Sequence, residues 1–320
     1  MLPKITILDG GMGRELLKIG APFRQPEWSA LALMEGPQYV RQVHDAYIAA
    51  GAALITTNSY ALVPFHLGEE VFTARAGELA SLAGRIGREA IGAAIGAANA
   101  AANAAGTIQL AGSLPPPFGS YRPDLFNPTD AARILNPLVA GLAPFVDVWL
   151  AETQGSTQEA WAIKAAIDQV SARPFWLSFT LEDSEHHAVT EGTLAPTIRS
   201  GESVTEAART ALALGVKALL FNCSHVGVMA AAVRDAAAVF AEVSAEHRPQ
   251  IGVYANAFAP HYHAEDANDG LSELRDDLDP SEYLKFAQQW RDAGATIVGG
   301  CCGIGPDHIA ALASSLPGKQ

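Results

Sequence analysis

What most limits the fold of this chain is a unit that recurs eight times along it. Each unit is a short apolar run, then a loop rich in Gly, Pro, Asn or Ser, then an amphipathic helical stretch. The apolar runs fall at residues 5–8, 53–57, 108–111, 146–150, 175–179, 218–223, 251–254 and 296–298. Helical patterns at 37–50, 203–214 and 280–293 each stop at a glycine, the residue that caps a helix in the left-handed conformation without strain. Strands that alternate with helices pair in parallel through right-handed crossovers. Eight such units predict an α/β fold, a (β/α)8 barrel of one domain over residues 1–320, rather than a doubly wound sheet.

A barrel of this kind points the carboxyl ends of all its strands at one mouth. Asp9, Asn58, Ser113, Glu152, Cys223, Asn256, Cys301 and Cys302 stand at or just past strand ends, so residues distant in sequence are expected to converge there. No lysine stands at a strand's carboxyl end; Lys217 precedes its strand, at the wrong end for a Schiff-base nucleophile. Aldolase or lyase chemistry of that kind therefore lacks a candidate.

The three cysteines stand out. Thr296-Ile297-Val298-Gly299-Gly300-Cys301-Cys302-Gly303 reads as a buried strand running into a tight turn that carries two adjacent thiols, and Cys223 ends the apolar run two strands earlier. Three thiols at strand ends suit a soft metal, zinc above all. A buried lone cysteine is more often a small hydrophobe, and an adjacent pair is also compatible with a redox disulfide.

Charge and composition narrow the partners. A net charge of −13 disfavours nucleic acid and anionic membranes, and 49% hydrophobic with 17% charged residues is the balance of a soluble enzyme. The first residues lack a signal-peptide core, and the Ala/Gly-rich segment 91–106 is interrupted by Asn99 and Asn103, which predicts a packed helix instead of a membrane span. Three unpaired thiols fit a reducing, cytoplasmic compartment. A homo-oligomer is left open.

Asp9-Gly10-Gly11 after the first strand, Glu152 after the fourth, Asn222-Cys223 after the sixth and Gly299-Gly300-Cys301-Cys302 after the eighth together resemble the homocysteine-binding methyltransferases, over the whole chain. The resemblance implies a Zn2+ ion on Cys223, Cys301 and Cys302, homocysteine as methyl acceptor, methionine as product and a small activated donor, with a sulfonium such as S-methylmethionine favoured. It also implies that Glu152 and Asp9 bind the substrate ammonium. Backbone N–H groups of Gly10 and Gly11 are expected to meet its carboxylate, with Asn58 and Ser59 further along the binding wall. Asn222 is read either as a substrate contact or as the residue that orients Cys223. After the seventh strand the chain reads Tyr254-Ala255-Asn256-Ala257-Phe258, where S-methylmethionine enzymes more often have Pro-Asn-Ser-Gly, so the donor loop differs.

Other residues carry weaker expectations. His225 is a rival metal ligand, while His186, His187, His261 and His263 read as solvated or lid residues. Phe118, Tyr121 and Tyr262 are candidates to face a cationic methyl group. Two alternatives remain: a barrel that takes its methyl group from a separate corrinoid or folate module, and a zinc- or redox-sensing protein without turnover.

Overall fold

In the computed structural model, described here for residues 4–100, 107–258 and 273–316, the eight apolar runs form eight parallel strands. They are β1 (Thr6–Ile7), β2 (Leu54–Thr56), β3 (Gln109–Leu114), β4 (Val148–Gln154), β5 (Phe175–Phe179), β6 (Ala218–Asn222), β7 (Gln250–Tyr254) and β8 (Ile297–Val298). The order β1-β8-β7-β6-β5-β4-β3-β2 leaves β1 and β2 at the two edges. Those edges meet: Ala53 donates to the Ile7 carbonyl at 2.8 Å, and Asp9 N–H to the Leu54 carbonyl at 3.0 Å. The sheet is thus closed into the expected (β/α)8 barrel, with no strand edge left open among the described residues.

The helices on the outside are α1 (Met12–Lys18), α2 (Ser29–Glu35), α3 (Pro37–Ala49), α4 (Pro64–Ala100), α5 (Ala131–Leu142), α6 (Thr157–Asp168), α7 (His186–Thr190), α8 (Val204–Ala213), α9 (Met229–Phe240), α10 (Pro280–Ala293) and α11 (Pro306–Ser315). Their boundaries follow local chemistry. Ser156 and Ser203 cap α6 and α8 in reciprocal boxes with Glu159 and Glu206. Asp279 accepts from two backbone N–H groups at the start of α10, and Gly294 ends it at φ 125°.

Two apolar layers result from the alternation of side chains along each strand. Val148 and Leu150 of β4 point into the barrel, with Leu8, Leu54, Trp176, Leu220 and Ile297, whereas Trp149 and Ala151 join the layer between sheet and helices. The same alternation aims Glu152 inward, one step above Leu150.

Three expectations are corrected. β3 and β4 run further than the apolar runs, so Ser113 and Glu152 lie within strands instead of past them. Parallel pairing of Ala111–Leu114 with Val148–Ala151 overrides the loop propensity of Gly112-Ser113. The Ala/Gly-rich segment is not packed throughout: Ile91 is buried, but most of residues 92–97 are exposed, because α4 greatly overshoots strands of at most 7 residues. Residues 101–106 of that segment lie outside the described residues. Among the described residues no helix is long and apolar enough to cross a membrane.

Candidate active site

The strand ends enclose a cavity of about 180 Å3, walled by Asp9, Gly10, Gly11, Arg14, Trp28, Thr56, Asn58, Tyr121, Glu152, Thr153, Tyr254, Phe258 and all three cysteines, among others. Its sulfur cluster is built from two loops. After β6, Cys223 takes φ +52°, a left-handed conformation costly for a residue with a Cβ. Strand alternation would send Cys223 toward the helices with Leu219 and Phe221; the backbone turn brings it into the cavity wall. After β8, Gly299 and Gly300 let the Cys301-Cys302 loop nest against the start of α1. A Cβ on Gly300 would lie 2.1 Å from Ile304 Cγ2, and one on Gly11 2.5 Å from the Cys301 carbonyl oxygen. Two buried phenols pin the assembly: Tyr47 OH donates to the Gly11 and Ile304 carbonyls, and Tyr283 OH to the Gly299 carbonyl at 2.7 Å.

The three sulfurs lie within 4.8 Å of one another, with Cys223 Sγ and Cys302 Sγ 3.8 Å apart. A disulfide needs about 2.05 Å, and all three are free thiols. Zn–S bonds of about 2.3 Å place two sulfurs of a tetrahedral set about 3.8 Å apart, which matches the observed spacing. The cluster can hold a metal. Hydrogen bonds from Cys301, Cys302 and Tyr121 favour the Cys223 thiolate and hold its pKa well below the usual thiol value, while their hydrogen bonds to Cys223, then burial and the Cys223 charge, raise those of Cys301 and Cys302.

Two carboxyl groups face the same space. Glu152 Oε1 accepts a short hydrogen bond from Ser113 Oγ, and Oε2 lies 3.3 Å from the Tyr254 hydroxyl. Burial, reinforced by the negative charge at Cys223, pushes Glu152 up to about 7. Asp9 accepts from Thr56 N–H at 2.7 Å and from its hydroxyl at 3.0 Å. Burial, with Glu152 adding to it, pushes Asp9 up to about 8. Desolvated acids of this kind regain their charge when a cation is bound beside them.

The homocysteine S-methyltransferase family profile matches residues 6–316. The chain belongs to that family. It is 30% identical to homocysteine S-methyltransferase of Escherichia coli, over 96% of this chain and 94% of that one. It is 26% identical to the selenocysteine methyltransferase of Astragalus bisulcatus, over 99% and 94%. Among solved structures, the metallated form of the homocysteine methyltransferase MmuM from Escherichia coli superposes with a TM-score of 0.76 at 26% identity, covering 97% of this chain and 96% of that one.

Within this family member the expected site residues separate into two groups. Cys223, Cys301, Cys302, Asp9, Glu152, Gly10, Gly11 and Asn58 all line the cavity. Asn58 also donates to the Ser29 carbonyl at 3.0 Å. Ser59 and Asn222 are fully buried and are not among the residues that line the cavity. Ser59 Oγ donates to the Ser113 carbonyl and braces β2 against β3. Asn222 Oδ1 accepts from Thr153 N–H and Ser178 Oγ, and its Nδ2 donates to Thr153 Oγ1. It clamps β6 to a bulge in β4, across β5. The Gly11 N–H donates to the Ile304 carbonyl at 2.9 Å.

Of the histidines, two differ from expectation, His225 and His186. His225 is not part of the sulfur cluster; its ring lies 4.1 Å from that of His186, and Arg275 donates to its Nε2 at 2.8 Å. His186 is buried instead of solvated, while His187 is exposed. His261, Tyr262 and His263 lie outside the described residues. Phe118 packs edge-on against Phe126 at 6.0 Å and is not part of the cavity wall. Lys217 is exposed just before β6, as expected.

The sequence reading missed Arg14, Trp28, Thr56, Thr153 and Tyr254. Tyr254 was accessible through alternation along β7, since it shares the inward face with Gly252. Trp28 and Thr153 had no such signal. With Tyr121 and Cys223 they are the described non-glycine residues at positive φ, and all four line the cavity. Backbone strain concentrated at one pocket is the mark of a built site.

Proposed function

We propose that the protein transfers a methyl group from a small activated donor, a sulfonium in particular, to the thiol of homocysteine, giving methionine. The observation that carries this reading is the three-thiol cluster sharing a cavity with Glu152 and Asp9, in a chain of the homocysteine S-methyltransferase family. Cys223, Cys301 and Cys302 would hold zinc. When bound, the ion supplies a coordination position and lowers the pKa of an incoming thiol far below its free value of about 8.5.

The remaining work falls to the chain. Glu152, held by Ser113 and Tyr254, and Asp9, held by Thr56, take the substrate ammonium group. Trp28, Tyr121, Tyr254 and Phe258 wall the cavity with aromatic surface that excludes water and tolerates a cationic methyl group. The acceptor sulfur forms a bond to the methyl carbon as the donor's carbon–sulfur bond breaks. The donor leaves as a neutral thioether, so the site needs alignment of the reacting atoms and no general acid.

The test is zinc-loaded protein incubated with homocysteine and, separately, S-methylmethionine, S-adenosylmethionine and betaine. Methionine from a sulfonium donor is the expected result. Failure of every donor, with zinc bound, would overturn direct transfer and favour a methyl group delivered by a separate protein module.

A further inference from the structure

Tyr121 reaches the sulfur cluster from the loop between β3 and α5. That loop is held firmly: Pro115, Pro116 and Pro117 are buried, and the Ser120 hydroxyl lies 2.6 Å from that of Tyr60. Tyr121 itself sits at φ +63°, a strained conformation for a bulky side chain. The strain has a visible result. The phenol donates to Cys223 Sγ at 2.9 Å and lies 3.3 Å from the Cys223 carbonyl oxygen. Among the described residues no hydroxyl donates to Cys301 or Cys302. On the ring of Tyr121 stands the Arg199 guanidinium, 5.1 Å from the centroid, itself paired with Asp183 at 3.1 Å and Glu182 at 3.5 Å.

We infer that Tyr121 is a positioning residue that makes the three sulfurs inequivalent, fixing Cys223 and leaving it the weakest electron donor of the set. This rests on the reading that the cluster holds a metal. A hydroxyl hydrogen bond to a thiolate lowers the energy of the sulfur lone pairs. A cation over the phenol face withdraws density from the ring and strengthens the hydroxyl as a donor. Arg199 therefore acts on Cys223 through Tyr121 without touching the sulfur. The charge available to a bound metal then comes mainly from Cys301 and Cys302.

Cobalt(II) loaded in place of zinc gives a direct readout, because its sulfur-to-metal charge-transfer absorption reports the energy of the thiolate lone pairs without any turnover. Tyr121→Phe should keep the wild-type metal content and move that band to longer wavelength. Arg199→Met, which retains the hydroxyl, should move it in the same direction by less. Bands at the wild-type position in both variants, at equal metal content, overturn the inference and leave the three-cysteine centre standing. If circular dichroism shows Tyr121→Phe to be unfolded, Arg199→Met decides alone: a shifted band supports the inference and an unshifted one overturns it. A wild-type protein without the band removes the metal centre itself, and the inference with it.

Discussion

Burial holds the Glu152 carboxyl at the mouth of the barrel far above the usual carboxylate range, so it shares its proton with water near neutral pH until a cation is bound beside it. Its pKa near 7 sets a sign for the pH dependence. As pH falls through about 7, free Glu152 takes up a proton and loses the charge that would hold an ammonium group, so KM for homocysteine should rise. Glu152→Gln should raise KM about 10- to 100-fold, the equivalent of a charge-assisted hydrogen bond of about 1.5–3 kcal/mol, and flatten that pH dependence. Steady-state kinetics from pH 6 to 8 checks both; an unchanged KM removes Glu152 from substrate binding. The carboxylates and thiols were legible because few residue types supply such chemistry and all stood near strand ends. The positive φ at Thr153 and the hydrogen bond from Tyr121 were not. Both arise from contacts between segments far apart in the chain, and neither residue type signals them.

At the scale of elements, two devices hold the reacting groups. The loop after β8 depends on close backbone approach at Gly300, where a methyl group would lie 2.1 Å from Ile304. Gly300→Ala should displace Cys301 and Cys302 and abolish retention of zinc supplied to the protein, measured by elemental analysis of the purified variant. Full metal content there would show that the loop is not held as described. The second device is Asn222, which ties β6 to the β4 bulge through two hydrogen bonds with Thr153 and to β5 through one from Ser178. Asn222→Ala leaves the Thr153 N–H and the Ser178 hydroxyl without those partners, and should destabilise the fold by about 1–3 kcal/mol in urea unfolding while lowering activity. Helix ends and strand order were readable from glycine caps and apolar runs. The extra length of β3 and β4 was not, because pairing with neighbours extends a strand beyond its own propensity.

Across the whole molecule, barrel closure brings sequence-distant segments at β1, β2, β3, β4, β6, β7 and β8 to one cavity, and the repeat of eight units made that convergence predictable. The fold also has an acid-sensitive point remote from the sulfur cluster. His44 on α3 is fully buried, with no hydrogen-bond partner at either ring nitrogen among the described residues. Burial, then the nearby Arg41 charge, lowers its pKa from 6.5 to about 4. The unfolded chain therefore binds the extra proton first. Stability is fully present above pH 6.5 and declines as pH falls toward 4, by up to about 3 kcal/mol from this residue. Urea unfolding of His44→Leu at pH 4.5 and 7 should show a smaller difference between the two pH values than the wild type; an equal difference contradicts this assignment.

In the proposed reaction three cysteine sulfurs share one ion and present it to a fourth sulfur from the substrate. X-ray absorption on the zinc-loaded protein, with and without homocysteine, tests it most directly. The account predicts three sulfur scatterers at about 2.3 Å, rising to four when homocysteine is added. A shell with fewer sulfurs, or one that homocysteine leaves unchanged, would contradict it.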